Sequence, residues 1–331
     1  MSWTQSLFSS RKTRVLGLDI SSSAVKLLEL TRSGDDFCVQ TFGQEILPEQ
    51  VMAGHVVQDI PALAQAIQTL LFKLDISSRT DVALQAVIAV PDACTITRTI
   101  QVSERLADQD LEELALSELT QCMPDALEEL YYDFKRLGHA VQPGIYPLLI
   151  MAARAQYVRD RVAAARQIGL AVTVVDIESL ALQRMLPFLL PQTKRSGITA
   201  ILDLGARFFK VFFFRQDSLL FMHAEEFGVL ALPSGLHEDM YQVGILQMYQ
   251  RACHFLSAEY PQREPVSHLL LSGGGVLRQP DLQDWLQQQC DLLVYRVDPF
   301  TQMRVAEGCD LQQLQHEAPL YLTACGLAKR V

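Results

Sequence analysis

The chain has 331 residues, of which 49% are hydrophobic and 20% are charged, and its formal net charge is −10. This length and composition predict a globular protein with two packed cores and exclude the fibrous and disordered classes. The acidic balance argues against binding to nucleic acid or to an anionic lipid surface, because both attract clusters of lysine and arginine.

The residue pattern predicts neither a membrane span nor a metal site built from cysteine and histidine. The longest uncharged apolar stretch, Ile145 to Ala153, is about half the length that crosses a bilayer, and the first fourteen residues lack the apolar core of a signal peptide. The seven cysteines are scattered, with no C-x-x-C pair and no metal-ligand spacing to the seven histidines. We therefore expect a cytosolic chain with reduced thiols, which reaches a membrane only through a protein partner.

The first predicted elements are a three-stranded meander and a helix. Apolar runs between Val15 and Phe42 are broken twice by turn-forming residues, which predicts three strands. Asp59 then caps a helix that has Pro61 in its first turn and an apolar face on one side. That face consists of Leu63, Ile67, Leu70 and Leu71.

A motif in the first turn of the meander occurs again later. Residues 19–26 read DISSSAVK and residues 203–210 read DLGARFFK, each between two apolar runs. Each motif predicts a β-hairpin whose Asp holds Mg²⁺ through water, whose Lys contacts phosphate and whose turn directs backbone N–H groups outward. A single hairpin of this kind is usually an ordinary turn, but two that face each other suit a nucleotide. The residues of this candidate site in the two hairpins are Asp19, Ser21, Ser22, Ser23, Lys26, Asp203 and Gly205.

Residues 84–169 predict an inserted α/β subdomain. Four apolar runs read as strands, and helices are predicted over 108–122 and 156–168, with Gly169 ending the second. The faces expected to be buried are Leu111, Leu114, Ala115 and Leu119 in the first helix, and Val158, Val162, Ala165 and Ile168 in the second.

An acidic tract lies within this predicted insertion. From Leu106 to Phe134 the chain has nine Asp or Glu residues and no Lys or Arg. A solvated helix face, with acidic side chains favoured near the helix N-terminus, is the plainer interpretation. A docking surface for a cationic peptide is the alternative, because opposite charge steers association. Its candidate residues are Glu112, Glu113, Glu128 and Glu129.

Two features follow the insertion. The stretch 187–197, with two prolines, a basic patch and a glycine, reads as a linker between two lobes. A short buried strand over 268–272 then leads into Gly273, Gly274 and Gly275, and a polar helix follows from Asp281 to about Cys290. The glycines let the backbone lie against a base or a phosphate, although a tight strand-to-helix turn explains them equally well.

In order and spacing, five segments resemble the type IV pilus assembly protein PilM family. They are VLGLDISSSAVKLLEL, VVDIESLALQRM, ILDLGARFFKVFFF, LLLSGGG and APLYLTACGLAKR. The resemblance implies an α/β, actin-like fold of the actin, hexokinase and Hsp70 type, close to the cell-division protein FtsA, with Asp19 and Asp203 facing across one cleft. It also implies that Glu178 positions the water that attacks ATP, although Glu178 is equally well an ordinary first-turn helix carboxylate.

The resemblance also divides the chain into subdomains. The expected ranges are 1–13 for an N-terminal tail, 14–83 for the first part of subdomain 1A, 84–169 for the inserted subdomain 1C, 170–197 for the return to 1A and the linker, and 198–331 for subdomain 2A. Subdomain 2B is expected to be truncated or absent, because only 44 residues, mostly one helix, separate Gly228 from Gly273.

The second hairpin departs from the family pattern. Members that bind ATP have hydroxyl residues after its glycine, whereas this chain has Arg207, Phe208 and Phe209. Each lost hydroxyl donor removes about 1–3 kcal/mol of phosphate binding, and a ring fills the space. Arg207 either compensates as a cation or lies on the surface. The resemblance allows ATP, with Mg²⁺ held through water by Asp19 and Asp203, but we expect no resident cofactor, weak or absent ATP binding and no hydrolysis.

The function implied by the resemblance is that of a cytoplasmic adaptor at the inner membrane. Such an adaptor docks the basic N-terminal cytoplasmic tail of a PilN-type membrane protein between 1A and 1C, with pilus assembly ATPases, the platform protein and self-association as further candidate contacts. The alternative is an active actin-like ATPase or a small-molecule kinase, although the catalytic Asp that a kinase needs is not found in the sequence. A third alternative is the cytoplasmic part of a type II secretion L protein, a class that has a membrane span not seen in this sequence.

Overall fold

Two lobes and a small inserted subdomain make up the chain. The computed structural model describes residues 12–76, 82–123, 127–138, 142–191, 197–228 and 238–330. In chain order its strands are β1 (Lys12–Ile20), β2 (Ala24–Ser33), β3 (Asp36–Ile46), β4 (Met52–Ala53), β5 (Val56–Val57), β6 (Val82–Val90), β7 (Thr95–Ser103), β8 (Leu130–Arg136), β9 (Ile145–Arg154), β10 (Ala171–Ile177), β11 (Ile198–Leu204), β12 (Phe209–Arg215), β13 (Ser218–Glu225), β14 (Val266–Ser272), β15 (Leu293–Arg296) and β16 (Arg304–Val305). Its helices are α1 (Ile60–Lys73), α2 (Asp108–Cys122), α3 (Ala155–Gln167), α4 (Glu178–Leu189), α5 (Glu238–Glu259), α6 (Leu282–Gln289), α7 (Leu311–Glu317) and α8 (Leu322–Ala328).

The two lobes contain sheets of the same topology. The strand order is β10-β6-β1-β2-β3-β16 in the first lobe and β13-β12-β11-β14-β15 in the second. Each sheet begins with a three-stranded antiparallel meander, and two parallel strands continue it on the other side of the first strand. The repeated hairpin motif therefore belongs to a repeated lobe. This arrangement confirms the predicted meander and the two-lobed actin-like fold.

A helical layer joins the two sheets. α4 and α8 lie between them, in a core that includes Phe42 of β3 and Phe212 of β12. The layer packs closely, since a Cβ at Gly326 of α8 would stand 2.1 Å from the carbonyl oxygen of Ala181 in α4. The outer faces are covered by α1 and α3 on the first lobe and by α5 and α6 on the second. Each sheet is thus buried on both sides, as the near-continuous apolar runs of its central strands require.

The cap and the face predicted for α1 are confirmed. The Asp59 side chain accepts a hydrogen bond from the backbone N–H of Ala62 at 2.9 Å, which satisfies one of the free donors at the helix N-terminus. The predicted apolar face points into the first-lobe core. Its members Leu63, Ile67, Leu70 and Leu71 are all buried.

The inserted subdomain is narrower than the predicted range 84–169. β6 pairs with β1 and β10 in the first sheet, and α3 shares the first-lobe core with α1, so both elements belong to the first lobe. What remains, from Thr95 to Arg154, is a three-stranded sheet of order β7-β9-β8 with α2 packed on one face. Hydrophobic periodicity identified the type of each element but not the sheet that it joins.

Two further expectations for the middle of the chain are corrected. Leu114 of α2 is 38% exposed, because the helix packs on its sheet through Leu111, Ala115 and Leu119, which all lie to one side of Leu114 around the helix axis. Pro187 lies within α4, so that helix takes up the start of the predicted linker 187–197. Residues 192–196 of the linker lie outside the described residues.

The range 198–331 does not form one lobe. After the second sheet the chain returns to the first lobe, where β16 pairs with β3 and α8 packs against β1 at Gly17. Between β13 and β14 the described residues, 226–228 and 238–265, form the helix α5 and no strand. None of the described helices is long and apolar enough to span a membrane.

Candidate functional site

The two repeated hairpins face each other across a cleft between the lobes. Asp19 and Lys26 are cross-strand partners in the β1–β2 hairpin, and Asp203 and Lys210 are cross-strand partners in the β11–β12 hairpin. All four side chains line one cavity of about 510 Å³. The predicted meeting of Asp19 and Asp203 in one cleft is therefore observed.

The turns predicted to hold phosphate line the same cavity. In the first hairpin the Ser21 hydroxyl donates to the carbonyl oxygen of Ala24 at 2.8 Å, which fixes the turn. Gly273 has a φ of 88°, and a Cβ there would stand 2.6 Å from Oδ1 of Asp203, so only glycine lets β14 end this close to the second hairpin. The turn residues lining the cavity are Ser21, Ser22, Ser23, Gly205, Gly273, Gly274 and Gly275.

Both lysines of the cleft are held in ion pairs within the protein. Nζ of Lys26 lies 2.8 Å from Oδ2 of Asp19, whereas Nζ of Lys210 lies 2.8 and 2.9 Å from the two carboxylate oxygens of Glu178. The distance from Nζ of Lys210 to Oδ2 of Asp203 is longer, 3.6 Å. Burial by itself lowers the pKa of each lysine, but the facing carboxylates outweigh it and raise the pKa of both above its ordinary value. The charges expected to meet a phosphate are thus already neutralised.

The position of Glu178 agrees with both roles considered for it, as a residue that positions water and as a first-turn helix carboxylate. It is the first residue of α4, and its buried carboxylate lines the cleft. Both carboxylate oxygens accept hydrogen bonds from Lys210, and this contact joins the helical layer to the second lobe. A role in positioning a water molecule stays a prediction.

Two buried groups beside the cleft escaped the sequence analysis. Asp92, just after β6, accepts a hydrogen bond from the backbone N–H of Ser179 at 2.8 Å, and burial together with Glu178 raises its pKa to about 7. Arg161 of α3 is 1% exposed, lines the cavity and donates to the carbonyl oxygens of Tyr157 and His55, at 3.0 Å each. A signal for Arg161 was present, because position 161 falls on the face of the helix predicted to be buried.

The tip of the second hairpin contacts the first lobe. Nη1 of Arg207 lies 3.3 Å from the carbonyl oxygen of Met52 and Nη2 lies 3.4 Å from that of Glu49. The ring of Phe208 stacks on the ring of His55, with centroids 4.3 Å apart. Arg207 therefore contacts the first lobe and does not line the cavity, and its compensation for the lost hydroxyls stays a prediction.

Of the two phenylalanines that stand in place of hydroxyl residues, Phe209 does not line the cleft. Its side chain is 1% exposed and packs in the core of the second lobe, and Phe208 alone of the two rings lines the cavity. Alternation along β12 explains the difference, since successive side chains of a strand point to opposite faces.

A second depression lies between the first lobe and the inserted subdomain. This docking groove, of about 750 Å³, runs between α3, the edge strand β10 and Tyr131 of β8. Val158 and Val162 contribute apolar surface, and Nε of Arg159 donates to the Tyr131 hydroxyl at 3.2 Å. The lining residues are Tyr131, Val158, Arg159, Val162, Ala163, Arg166, Gln167, Val172, Thr173, Val174 and Val175.

Comparison with protein families decides the assignment of the chain. A family model described as type IV pilus assembly protein PilM matches residues 17–244 and 239–331. The chain belongs to the PilM family.

Three solved structures are similar to this chain to different degrees. A structure described as a PilM-PilN type IV pilus biogenesis complex aligns with 96% of this chain and 98% of its own, at 24% identity and a TM-score of 0.79. The ethanolamine utilization protein EutJ from Carboxydothermus hydrogenoformans aligns with 95% of this chain and 88% of its own, at 13% identity and a TM-score of 0.48. The cytoplasmic domain of EpsL, from the type II secretion system of Vibrio cholerae, aligns with 91% of this chain and 92% of its own, at 12% identity and a TM-score of 0.43. At these identities the likeness to the PilM-PilN complex shows a shared fold.

The acidic tract of this PilM-family chain lies outside the groove. Glu112, Glu113, Glu128 and Glu129 are all exposed, and none of them lines the docking groove. Glu112 and Glu113 are on α2, which covers the face of the small sheet that carries Leu130, Tyr132 and Phe134, whereas Tyr131 points to the groove. Glu128 and Glu129 immediately precede β8 and so lie near Tyr131. Asp125 of the tract lies outside the described residues.

The cleft of this PilM-family chain fits Mg-ATP only in part. The serine turn and the glycine turn are both present, but Lys26 and Lys210 are already paired and the second hairpin offers a ring in place of hydroxyls. In the described residues no group of three or more His, Cys, Asp or Glu side chains is arranged to hold a metal ion. Metal binding by Asp19 and Asp203 therefore stays a prediction.

Proposed function

We propose that this chain is a cytoplasmic adaptor of the type IV pilus inner-membrane platform and binds the N-terminal cytoplasmic tail of a PilN-type membrane protein. The docking groove between α3, β10 and Tyr131 is the observation that carries this proposal, because it is a depression of about 750 Å³ between the first lobe and the inserted subdomain. Membership of the PilM family and the likeness to a PilM-PilN complex support the class of partner. The tail, in turn, would hold the chain at the inner membrane.

The groove suits an extended apolar segment. β10 is at the end of the first sheet and, in the described part of the chain, pairs with β6 alone, so the backbone groups of its outer edge are available to a peptide. Val158 and Val162 would cover apolar side chains of the tail, each worth about 1.5–3 kcal/mol when fully buried. Arg159, oriented by Tyr131, forms one wall.

Basic residues of the tail would meet the acidic tract outside the groove. Glu128 and Glu129 lie two or three positions before Tyr131, so they are placed to contact residues that flank the apolar segment. Glu112 and Glu113 lie on α2, beyond the small sheet, and act only as long-range charges. This division refines the expectation that all four carboxylates act alike.

Titration of a labelled tail peptide, taken from the membrane protein encoded beside this chain, tests groove binding by fluorescence anisotropy. Val162→Glu places a charge against the apolar segment and is expected to weaken binding at least tenfold, which corresponds to about 1.4 kcal/mol. Phe72→Glu is the matched control, because Phe72 is 85% exposed on α1 and does not line the groove. Unchanged affinity of the Val162→Glu variant would contradict groove binding.

The two acidic pairs can be separated by the same titration. Reversal of charge at Glu128 and Glu129 is expected to slow association and to flatten its dependence on salt, because the charges next to the groove are lost. The same reversal at Glu112 and Glu113 changes the net charge equally but is expected to have the smaller effect. Equal rates for both double variants and the unmodified chain would leave the tract as a solvated face.

An active ATPase of the same fold is the second candidate, favoured by the facing of Asp19 and Asp203 in one cleft. We propose instead that ATP binds weakly and is not hydrolysed, since each lost contact of about 1.4 kcal/mol lowers affinity tenfold. Calorimetry with Mg-ATP separates the two candidates. Millimolar or weaker binding supports the adaptor, whereas micromolar binding that Asp19→Ala abolishes supports the ATPase.

A further inference from the structure

The contact between the second hairpin and the first lobe joins two elements that are each fixed in their own lobe. We propose that the hairpin tip Ala206–Phe208 and the segment Glu49–Val57 form an interlobe clasp, which holds the cleft closed without nucleotide. Arg207 contributes two hydrogen bonds to backbone carbonyls, and Phe208 contributes a ring stacked at 24° to that of His55. This inference concerns the state of the cleft and does not depend on the partner proposed above.

The first-lobe half of the clasp is anchored by contacts within its own lobe. Val51 and Met52 are buried in the first-lobe core, and the β4–β5 ladder connects Met52 with Val57. Arg161 donates from α3 to the carbonyl oxygen of His55 at 3.0 Å, which fixes the backbone beneath the ring. Gly54 turns the chain with a φ of 60°, and a Cβ there would stand 3.8 Å from Cζ of Phe208. The segment Glu49–Val57 is therefore held in a fixed conformation against which the Phe208 ring packs.

The second-lobe half is held equally well. The backbone N–H of Gly205 donates to the carbonyl oxygen of Phe208 at 3.0 Å and closes the tip of the hairpin. Phe209 is locked in the core of its lobe, so alternation along β12 directs Phe208 toward the cleft. Both rings of the stack are uncharged at neutral pH, because burial, with Lys210 and Arg161 nearby, lowers the pKa of His55 to about 4. Offset stacking of uncharged rings is favourable beyond the area that it buries.

The clasp assigns a role to the residues that replace the expected hydroxyls. A nucleotide held between the two hairpins would bridge them through its phosphates, and closure of the cleft would then depend on the ligand. Here Arg207 and Phe208 reach across from the second hairpin, and Lys210 reaches Glu178 beside them. The lobes are thus held in one relative position by the protein itself.

Hydrogen–deuterium exchange of the full chain without nucleotide, read by mass spectrometry, tests the clasp. In the double variant Arg207→Ala, Phe208→Ala, peptides covering 49–57 and 203–210 are both expected to exchange at least tenfold faster. The peptide covering β14 (266–272) serves as the folding control and is expected to be unchanged. Faster exchange confined to 203–210 would overturn the proposal, because loss of the clasp should also increase exchange in residues 49–57 of the first lobe.

Two further measurements keep the test decisive if the double variant fails to fold. His55→Ala removes the ring from the first lobe and is expected to raise exchange at 203–210, although that segment is distant in sequence. In the unmodified chain, saturating Mg-ATP is expected to leave the protection of 49–57 unchanged. A tenfold gain in protection on adding Mg-ATP would show that nucleotide closes the cleft and would overturn the proposal.

Discussion

Lys210 shows how one contact alters the chemistry of a motif. Its motif predicted a β-hairpin, and the register of that hairpin makes Lys210 the cross-strand partner of Asp203. The pairing of Lys210 with Glu178 was beyond prediction, because it requires the start of α4 to meet a strand of the other lobe. Local spacing fixes neighbours within a hairpin, whereas contacts between distant segments depend on how whole elements pack.

Asp92 gives a test at the scale of one residue. Its pKa is raised from 3.8 to about 7, so between these values the folded protein keeps a proton that the unfolded chain has lost. The free energy of unfolding should therefore fall as the pH rises through this window. Asp92→Asn cannot lose a proton, so it is expected to flatten this dependence and to be the more stable form at pH 8, by no more than about 4 kcal/mol.

Urea denaturation between pH 4 and pH 8 measures this effect. Asp133→Asn is the matched control, because it makes the same chemical change at an exposed side chain on β8 of the inserted subdomain. An Asp92→Asn variant with the same pH dependence as the unmodified chain would show that Asp92 is ionised across the window.

At the scale of elements, the sequence predicted whether a segment is a helix or a strand, but not which sheet or helix it packs against. The meander β1 to β3 was predicted from apolar runs and turn residues, and one helix was expected between Gly228 and Gly273; both elements are observed. The assignment of β6 to the insertion was wrong, because an apolar run of this length suits a strand in either sheet. Leu114 was misplaced for a related reason, since α2 covers a sheet of only three strands and needs a narrower apolar face.

The crossing of α4 and α8 gives a test at this scale. Gly326→Ala would place a Cβ 2.1 Å from the carbonyl oxygen of Ala181, a distance that forces the two helices apart. Overpacking of a tight core costs about 1–3 kcal/mol or more, so the melting temperature is expected to fall by several degrees. Gly138→Ala is the control, because a Cβ there meets no atom within 4 Å. Equal melting temperatures for the two variants would contradict the close crossing.

At the scale of the whole molecule, the duplicated lobe was visible in the sequence and the shape of the cleft was not. Two copies of one hairpin motif predicted two lobes with their acidic residues facing, and this is the arrangement observed. Arg207 and Phe208 stand in place of hydroxyl residues, and the sequence predicted from this only a loss of phosphate contacts. The contacts that these residues gain with Glu49, Met52 and His55 depend on the shape of the β4–β5 segment, which local pattern does not specify.

Photo-cross-linking of the tail peptide to the full chain tests the adaptor role most directly. A photoreactive residue is placed in the apolar stretch of the peptide, and the adducts are located by mass spectrometry. Docking in the groove predicts adducts on α3 and β10, between residues 158 and 175, and competition by unlabelled peptide. Adducts confined to α2 would contradict the proposed docking of the tail. Adducts that unlabelled peptide does not reduce would contradict it as well.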